Sequence, residues 1–278
     1  MLNYSSRFWL FAPVVIFLAL GAAAMAHWYV VAGALEKKLD AMNGHEAAPG
    51  FTLSFASKTV SGFPFNIDVV FEKFVVQGQG AHGPFRWTSE KFALHRLTYG
   101  RTQDIYEAAG NQTVSWTDGS GRRHGLNFLP ATLHASAIAD AEGLARFDLE
   151  AVDAGGHDSE GVAFTAAAAQ LHFRRDPKAD AMDLQVSGTE IKTDGNIAGL
   201  FGNHISHISL YATLSRGSAF QPLLAGKGTW AQAASYWRDQ GGRTVMGPVE
   251  IKSTGVNMNA TAFPDAGGDL ERVLSPLY

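Results

Sequence analysis

No charged side chain occurs between Phe8 and Val31, a run of 24 residues. A helix rises about 1.5 Å per residue, so this run is long enough to cross the roughly 30 Å hydrocarbon core of a bilayer. That constrains everything after it, because the remaining chain must fold while tied to a membrane at one end. Arg7 and the α-amino group precede the run. Lys37 and Lys38 follow it beside Glu36 and Asp40, so the flanking charges are close to a tie. Ala24-Met25-Ala26 is a small-x-small pattern of the kind a signal peptidase cuts. The apolar stretch nevertheless continues through Trp28, Tyr29, Val30 and Val31, beyond the roughly 7 to 15 residues of a usual signal core. Trp9 and Trp28-Tyr29 stand near its two ends, where interfacial aromatics belong. The reading is an uncleaved single-pass inner-membrane anchor over residues 8–31. It leaves residues 1–7 in the cytoplasm and the bulk of the chain in the periplasm. Leu35 to Met42 can extend the helix until Asn43-Gly44 and Pro49-Gly50 end it. Residues 32–50 then read as a helical stalk and linker, and the folded domain is expected to start near Phe51.

Roughly 235 residues remain after Gly44, enough for one large all-β domain or two small ones. The formal net charge of −4 lacks the concentrated basic surface of a nucleic-acid binder, so no nucleic-acid partner is expected. Arg122-Arg123 and Arg174-Arg175 are the dense basic pairs, and both read as solvated charges at turns or strand ends. The absence of cysteine excludes disulfides, thiolate nucleophiles and cysteine-based metal sites. Thirty glycines and ten prolines point to many turns.

Period-two alternation recurs along the body. Ile67, Val69 and Phe71 oppose Asn66, Asp68 and Glu72. Phe147, Leu149 and Ala151 oppose Arg146, Asp148 and Glu150. Met182, Leu184 and Val186 form a similar set, as do Ile208, Leu210, Ala212 and Leu214. Val249, Ile251 and Ser253 follow, then Val256, Met258, Ala260 and Ala262. One-sided alternation marks antiparallel sheet with one face buried or lining a cavity and the other wet. Asp118-Gly119-Ser120-Gly121, Asp153-Ala154-Gly155-Gly156 and Arg175-Asp176-Pro177 supply turns. The expected class is mainly β: one large curved antiparallel sheet, half-barrel or groove, over residues 51–263. A few short helices and the single N-terminal transmembrane helix complete it. Trp230, Ala233, Ala234 and Trp237 recur at helical spacing after a Thr229 N-cap, with Gly241-Gly242 closing the helix. Both tryptophans are expected as core anchors. Asn196 to Gly202 reads as a further helical turn.

Polar candidates for chemistry are sparse. His204 and His207 would share a face on a helix, but on a strand they point to opposite faces. His157-Asp158-Ser159 contains the residue types of a hydrolase triad, yet triads assemble from distant positions. Asp140, Glu142, Asp148 and Glu150 could supply an acid–base pair; Asp148 and Glu150 fall on the polar face of their strand. No nucleophile elbow, phosphate loop or dinucleotide fingerprint occurs. Asn111-Gln112-Thr113 and Asn259-Ala260-Thr261 match a glycosylation acceptor pattern and read as strand polar faces. No catalytic residue, metal or cofactor is assigned. The apolar set is richer: Phe51, Leu53, Phe55, Phe63, Phe65, Ile67, Val69 and Phe71 are either core or the wall of a groove for acyl chains.

Ser61-Gly62-Phe63-Pro64-Phe65, followed at once by an alternating strand, resembles the opening signature of the domain of unknown function 2125 family, found mostly in alphaproteobacteria. Tyr236-Trp237-Arg238-Asp239-Gln240-Gly241-Gly242-Arg243 and Met246-Gly247-Pro248-Val249, leading to Ser253-Thr254-Gly255-Val256, resemble later parts of the pattern. The family-motif residues are thus Gly62, Pro64, Trp237, Gly241, Gly242, Gly247 and Pro248. The resemblance implies a single-pass anchor and a long, bent, β-rich periplasmic body, and it brings no reaction. In layout the chain is also similar to the AsmA-like envelope proteins, an analogy of fold alone. The family pattern implies strands beyond Met258, whereas here alternation stops near Phe263 and residues 264–278 read as an irregular, polar tail. A shortened end of this kind would leave a sheet edge exposed. The functional expectation is a non-enzymatic, membrane-anchored protein whose apolar β-groove takes lipid or another envelope ligand. The alternative is an envelope scaffold with a closed β core, and a third reading is a hydrolase with an unrecognised site.

Overall fold

Alternation with period two lets each strand bury one side chain in two, and here it builds one sheet. The computed structural model describes residues 6–79, 83–99, 103–194, 202–253, 257–260 and 266–267. Helix α1 (Ser6–Met42) comes first. Strands β1 (His45–Ala48), β2 (Phe51–Ser54), β3 (Ser57–Ser61), β4 (Asn66–Gln79) and β5 (Pro84–Leu97) follow. Then come β6 (Gln103–Thr117), β7 (Arg123–Leu129), β8 (Thr132–Asp140), β9 (Gly143–Asp158), β10 (Ala163–Asp176), β11 (Ala181–Thr193) and β12 (His204–Ser215). A 3-10 turn (Gly217–Phe220), α2 (Gln221–Leu224) and α3 (Trp230–Asp239) make a small cap. The chain then returns to β13 (Arg243–Met246), β14 (Val249–Ser253), β15 (Asn257–Ala260) and β16 (Ala266–Gly267).

Among the described residues, all sixteen strands belong to one antiparallel sheet whose neighbours run in chain order, as a meander requires. Some neighbours are halves of one row. β2 and β3 both lie along β4, β7 and β8 both lie between β6 and β9, and β13 and β14 both lie along β12. The second break falls at Pro130, which cannot donate to a ladder. The third falls at Gly247-Pro248.

These breaks belong to a line of irregularities crossing the sheet. Lys73 (φ 52°) in β4 lies opposite the register shift around Glu90 in β5. The line continues through Gly110 (φ 77°), Pro130 and Asp153 (φ 48°) to Glu190 (φ 49°) opposite Ser206. A bulge bends its strand and increases its right-handed twist, so eight consecutive rows bend at one level. Each bulge also resets which residues face the same way. Phe71 and Phe74, three apart, are both buried, although strict alternation would send one of them outward.

The sheet begins earlier than Phe51, because His45–Ala48 already pairs with β2. The helix before it is no free stalk. Its second half carries Trp28, Ala32, Leu35 and Leu39 on one stripe, and these pack on Ile67, Val69, Phe71, Phe74 and Leu94. Lys58 ties Glu36 (3.5 Å) and Asp40 to β3. From Phe11 onward the first half of α1 is exposed, and the helix, with a mean hydropathy of 2.0, is long and apolar enough to cross a membrane. Trp28, expected near a membrane interface, donates its indole N–H to the Asn66 carbonyl at 2.6 Å and is buried against the sheet.

The cap follows the expected helix. Thr229 accepts from the Gln232 backbone N–H while the Gln232 side chain accepts from the Thr229 N–H, a reciprocal capping box. At the other end Gly241 takes φ 70°, and the Gly241 and Gly242 N–H groups reach Arg238 and Trp237 carbonyls. A Cβ on Gly242 would lie 2.2 Å from the Trp237 ring. Trp237 is fully buried and donates to the Ser215 carbonyl at 2.6 Å, whereas Trp230 is half-exposed and is not a core anchor. The Asn196 to Gly202 helical turn lies outside the described residues except for Gly202. Within the tail expected to be irregular, Ala266–Gly267 pairs with β13. The other residues of 264–278 lie outside the described set.

Candidate functional site

Registered partners in adjacent strands share a face, so the ladders can be read across the sheet as rows. One row runs Val69, Leu94, Tyr106, Ala135, Leu149, Leu171, Val186, Leu210 from β4 to β12. The adjacent row runs Asp68, His95, Ile105, Ser136, Asp148, His172, Gln185, Tyr211 over the same strands. One face is therefore apolar across eight rows of strand, and the other is polar nearly throughout.

Two helical covers divide the apolar face. Over β4 and Leu94 of β5, α1 covers it, and an aromatic ladder of Phe74, Phe92 and Tyr106 continues toward β6 (ring centroids 4.3 Å and 5.8 Å apart). Burial pushes the Tyr106 hydroxyl up to about 12, with the nearby Asp104 charge adding to the effect. At the other side the cap sets Phe220, Ala233 and Trp237 on Met182 and Leu214, with Phe173 and Leu224 packed alongside. Between the covers lie Phe147, Leu149, Leu171, Leu184, Val186 and Leu210. They are only partly buried, and Val186 is 40% exposed where Val69 in the same row is 0%. This open apolar strip is the candidate site.

The predicted groove wall falls elsewhere. Ile67, Val69 and Phe71 are core beneath α1, and Leu53 and Phe55 pack against the same cluster. Phe51 is half-buried against Gly78. Phe63 and Phe65 are exposed at the end of the sheet where α1 reaches it. The alternation that marks the open strip was legible in β9, β11 and β12. Its status as the open part was not, because openness depends on where the helices lie. One signal bears on it: the stripe Trp28, Ala32, Leu35, Leu39 needs an apolar partner, and the aromatic-rich first strands supply one.

The polar candidates are tied into local networks. Asp148 receives Arg146 at 2.6 Å and His172 at 2.7 Å. Burial pushes its carboxyl up, but these hydrogen bonds and charges outweigh burial and hold it below the usual carboxylate range. Asp183 behaves alike: burial opposes, while hydrogen bonds from Tyr211, Thr213 and Arg174 win. Both line a shallow polar cleft of about 410 Å³. Glu150 accepts from Gln170 at 2.7 Å. Asp140 and Glu142 hold Arg175, whose side chain is only 6% exposed, so Arg175 is not the solvated charge expected; Arg174 remains exposed. The Arg175 hydrogen bond lowers the Asp140 carboxyl. Asp158 caps its own turn by accepting from Glu160 and Val162 N–H groups, so His157-Asp158-Ser159 forms a turn and no triad.

His204 meets Glu190 at 2.8 Å and His207 meets Glu250 at 4.0 Å. The register shift at Ser206 adds a residue between them, so both lie on the polar face, where unbroken alternation would separate them. Among the described residues, no three His, Asp or Glu side chains gather as a metal-ligand set.

The motif residues have structural places. Gly62 (φ 96°) starts a turn in which the Asn66 N–H reaches the Gly62 carbonyl, around the cis Phe63-Pro64 bond. Gly247 donates to the Tyr211 carbonyl at 2.7 Å where β13 gives way to β14 before Pro248.

Fold and site together define a class: a single bulged antiparallel sheet with one apolar face, led by a helix able to cross a membrane. The family model described as "Uncharacterized protein conserved in bacteria (DUF2125)" matches residues 28–262, and the chain belongs to that family. No curated protein and no solved structure matches the chain. The matched region starts at Trp28, which is buried against the sheet.

Proposed function

We propose that this is a membrane-anchored envelope protein that holds an acyl chain or similar apolar envelope component on the open strip between α1 and the cap. The observation that carries the reading is the exposure of Val186 in a row whose other end is core. A monomeric surface seldom leaves a long apolar strip uncovered without a partner for it, and apolar ligands are held by such surfaces with few polar contacts. The protein acts by binding and not by catalysis; the ion pairs that occupy Asp140, Glu142, Asp148, His204 and His207 support that view. The anchor is the exposed half of α1, and the sheet stands on the periplasmic side. The layout analogy to AsmA-like proteins carries none of this argument. The scaffold alternative loses ground because its closed core needs a second sheet face, and the sixteen strands of the described residues lie in one sheet.

Native mass spectrometry of the full-length protein, extracted in mild detergent, tests the reading. The expected result is co-purified lipid in the wild type that Val186→Asp depletes while the fold is retained. Absence of bound lipid in the wild type contradicts it. Protease protection in sealed vesicles tests the side, and N-terminal sequencing tests whether the chain is cut after Ala26.

A further inference from the structure

Where α1 meets the sheet, six exposed apolar side chains ring its flank. Tyr29 and Val30 belong to the helix. Phe63 and Phe65 come from the turn before β4, and Leu97 and Tyr99 from the end of β5. They are brought together by specific contacts. Phe63 packs edge-on to Trp28 at 5.6 Å, and Phe65 packs edge-on to Tyr99 at 6.3 Å. The Phe65 carbonyl accepts from both the backbone and the hydroxyl of Thr98, and His27 lies 3.2 Å from the Thr98 carbonyl. No charged residue occurs in Ser61–Asn66, in Leu97–Tyr99 or in His27–Val31.

Length decides what this collar faces. Phe8 to Ala26 is 19 residues, about 28 Å of helix against a hydrocarbon core of about 30 Å. Counting on to Val31 gives about 36 Å, too long for an upright helix, and the surplus is the part docked on the sheet from Trp28. A bilayer filled by Phe8–Ala26 therefore ends at the level of the collar. Tyrosines, here Tyr29 and Tyr99, are enriched where apolar core gives way to headgroups.

We infer that Phe63, Phe65, Leu97 and Tyr99 insert into the headgroup–acyl boundary of the membrane that α1 crosses. The inference rests on the anchoring role proposed for α1 and adds a second, sheet-borne attachment. One helix alone can still tilt and rotate in the bilayer, carrying the docked sheet with it. A collar on β4 and β5 fixes which end of the sheet rests on the bilayer, so the apolar face meets the membrane at its edge and a lipid chain passes onto it without crossing water. The β9–β10 turn at Glu160 then stands at the far end of the strands.

The chain has no cysteine, so one introduced thiol gives one label. Spin labels at Phe65→Cys, Leu97→Cys and Tyr99→Cys replace side chains that are 58%, 47% and 60% exposed, which spares the core. Labels at Leu20→Cys and Glu160→Cys mark the membrane core and the far end. The full-length protein is placed in phosphatidylcholine–phosphatidylglycerol vesicles, and relaxation by oxygen is compared with relaxation by a water-soluble nickel chelate. The expected result is oxygen-dominated relaxation at Leu20, an intermediate profile at positions 65, 97 and 99, and nickel-dominated relaxation at Glu160. A buried profile at Leu20 with aqueous profiles at all three collar positions overturns the collar and leaves the anchor standing. An aqueous profile at Leu20 overturns both.

Discussion

Val69 and Val186 are the same residue type in the same transverse row, yet one is fully buried and the other is 40% exposed. The strands beneath them differ little in pattern or pairing. What differs is the element above: α1 covers β4, and nothing among the described residues covers the middle of β11 to the same degree. The comparison separates two jobs that one alternating face performs. Near α1 the face is a core that fixes the helix to the sheet. Between α1 and the cap it is a surface kept apolar without being sealed. A row that existed only for stability would be expected to lose its apolar character where cover is lost; this one continues through Leu149, Leu171, Val186 and Leu210.

The largest expected effect lies at the cover itself. Trp28→Ala removes the main docking side chain of α1 and leaves the Asn66 carbonyl without its donor, which should cost about 3–5 kcal/mol. Denaturant unfolding of the detergent-solubilised protein measures this, and an effect below about 1 kcal/mol would mean that α1 is not seated on β4. Next comes the paired test within the row. Val69→Ala should cost about 2–3 kcal/mol and Val186→Ala less than about 1 kcal/mol. Equal losses would erase the distinction between core and open strip. Lys58→Ala breaks the tie between α1 and β3, but Glu36 and Asp40 are more than half exposed and remain solvated. A loss of about 0.5–1 kcal/mol is expected.

The smallest effect concerns the polar face. Asp148 and Asp183 both sit below the usual carboxylate range in the fold, so their contribution is present above the unfolded carboxylate pKa. It is lost as pH falls through the lowered folded value. Acid should therefore destabilise the β9–β12 region, and Asp148→Asn should lower the neutral plateau of a stability–pH curve by removing that contribution and flatten its acid limb. An unchanged acid limb would place the acid sensitivity in other carboxylates.

Much of this architecture is written in the sequence. The alternation of β4, β9, β11 and β12, the Thr229 cap and the Gly241-Gly242 stop each follow from local chemistry, and all are present. The bulges are harder to read. Lys73 and Glu190 adopt φ values that their side chains do not favour, so no residue type announces them, and they shift alternation in mid-strand. In β10 the run Ala163 to Ala169 hides its period because alanine suits either face. Arg175 looked like a turn charge beside Arg174, and only the fold brings Asp140 and Glu142 to it. The open strip was least legible of all. Its residues are of the same types as the core residues Ile67 and Val69, and only the placement of two helical covers tells them apart.

The central claim is that the uncovered part of the apolar face holds a lipid chain. Site-specific photo-crosslinking in membranes addresses it most directly, with a photoreactive residue placed in turn at Val186, at its strand neighbour Gln185 on the polar face, and at Val69 under α1. The account predicts lipid adducts at Val186 and none at Gln185 or Val69. Adducts that are absent at Val186, or as abundant at Gln185, would contradict it.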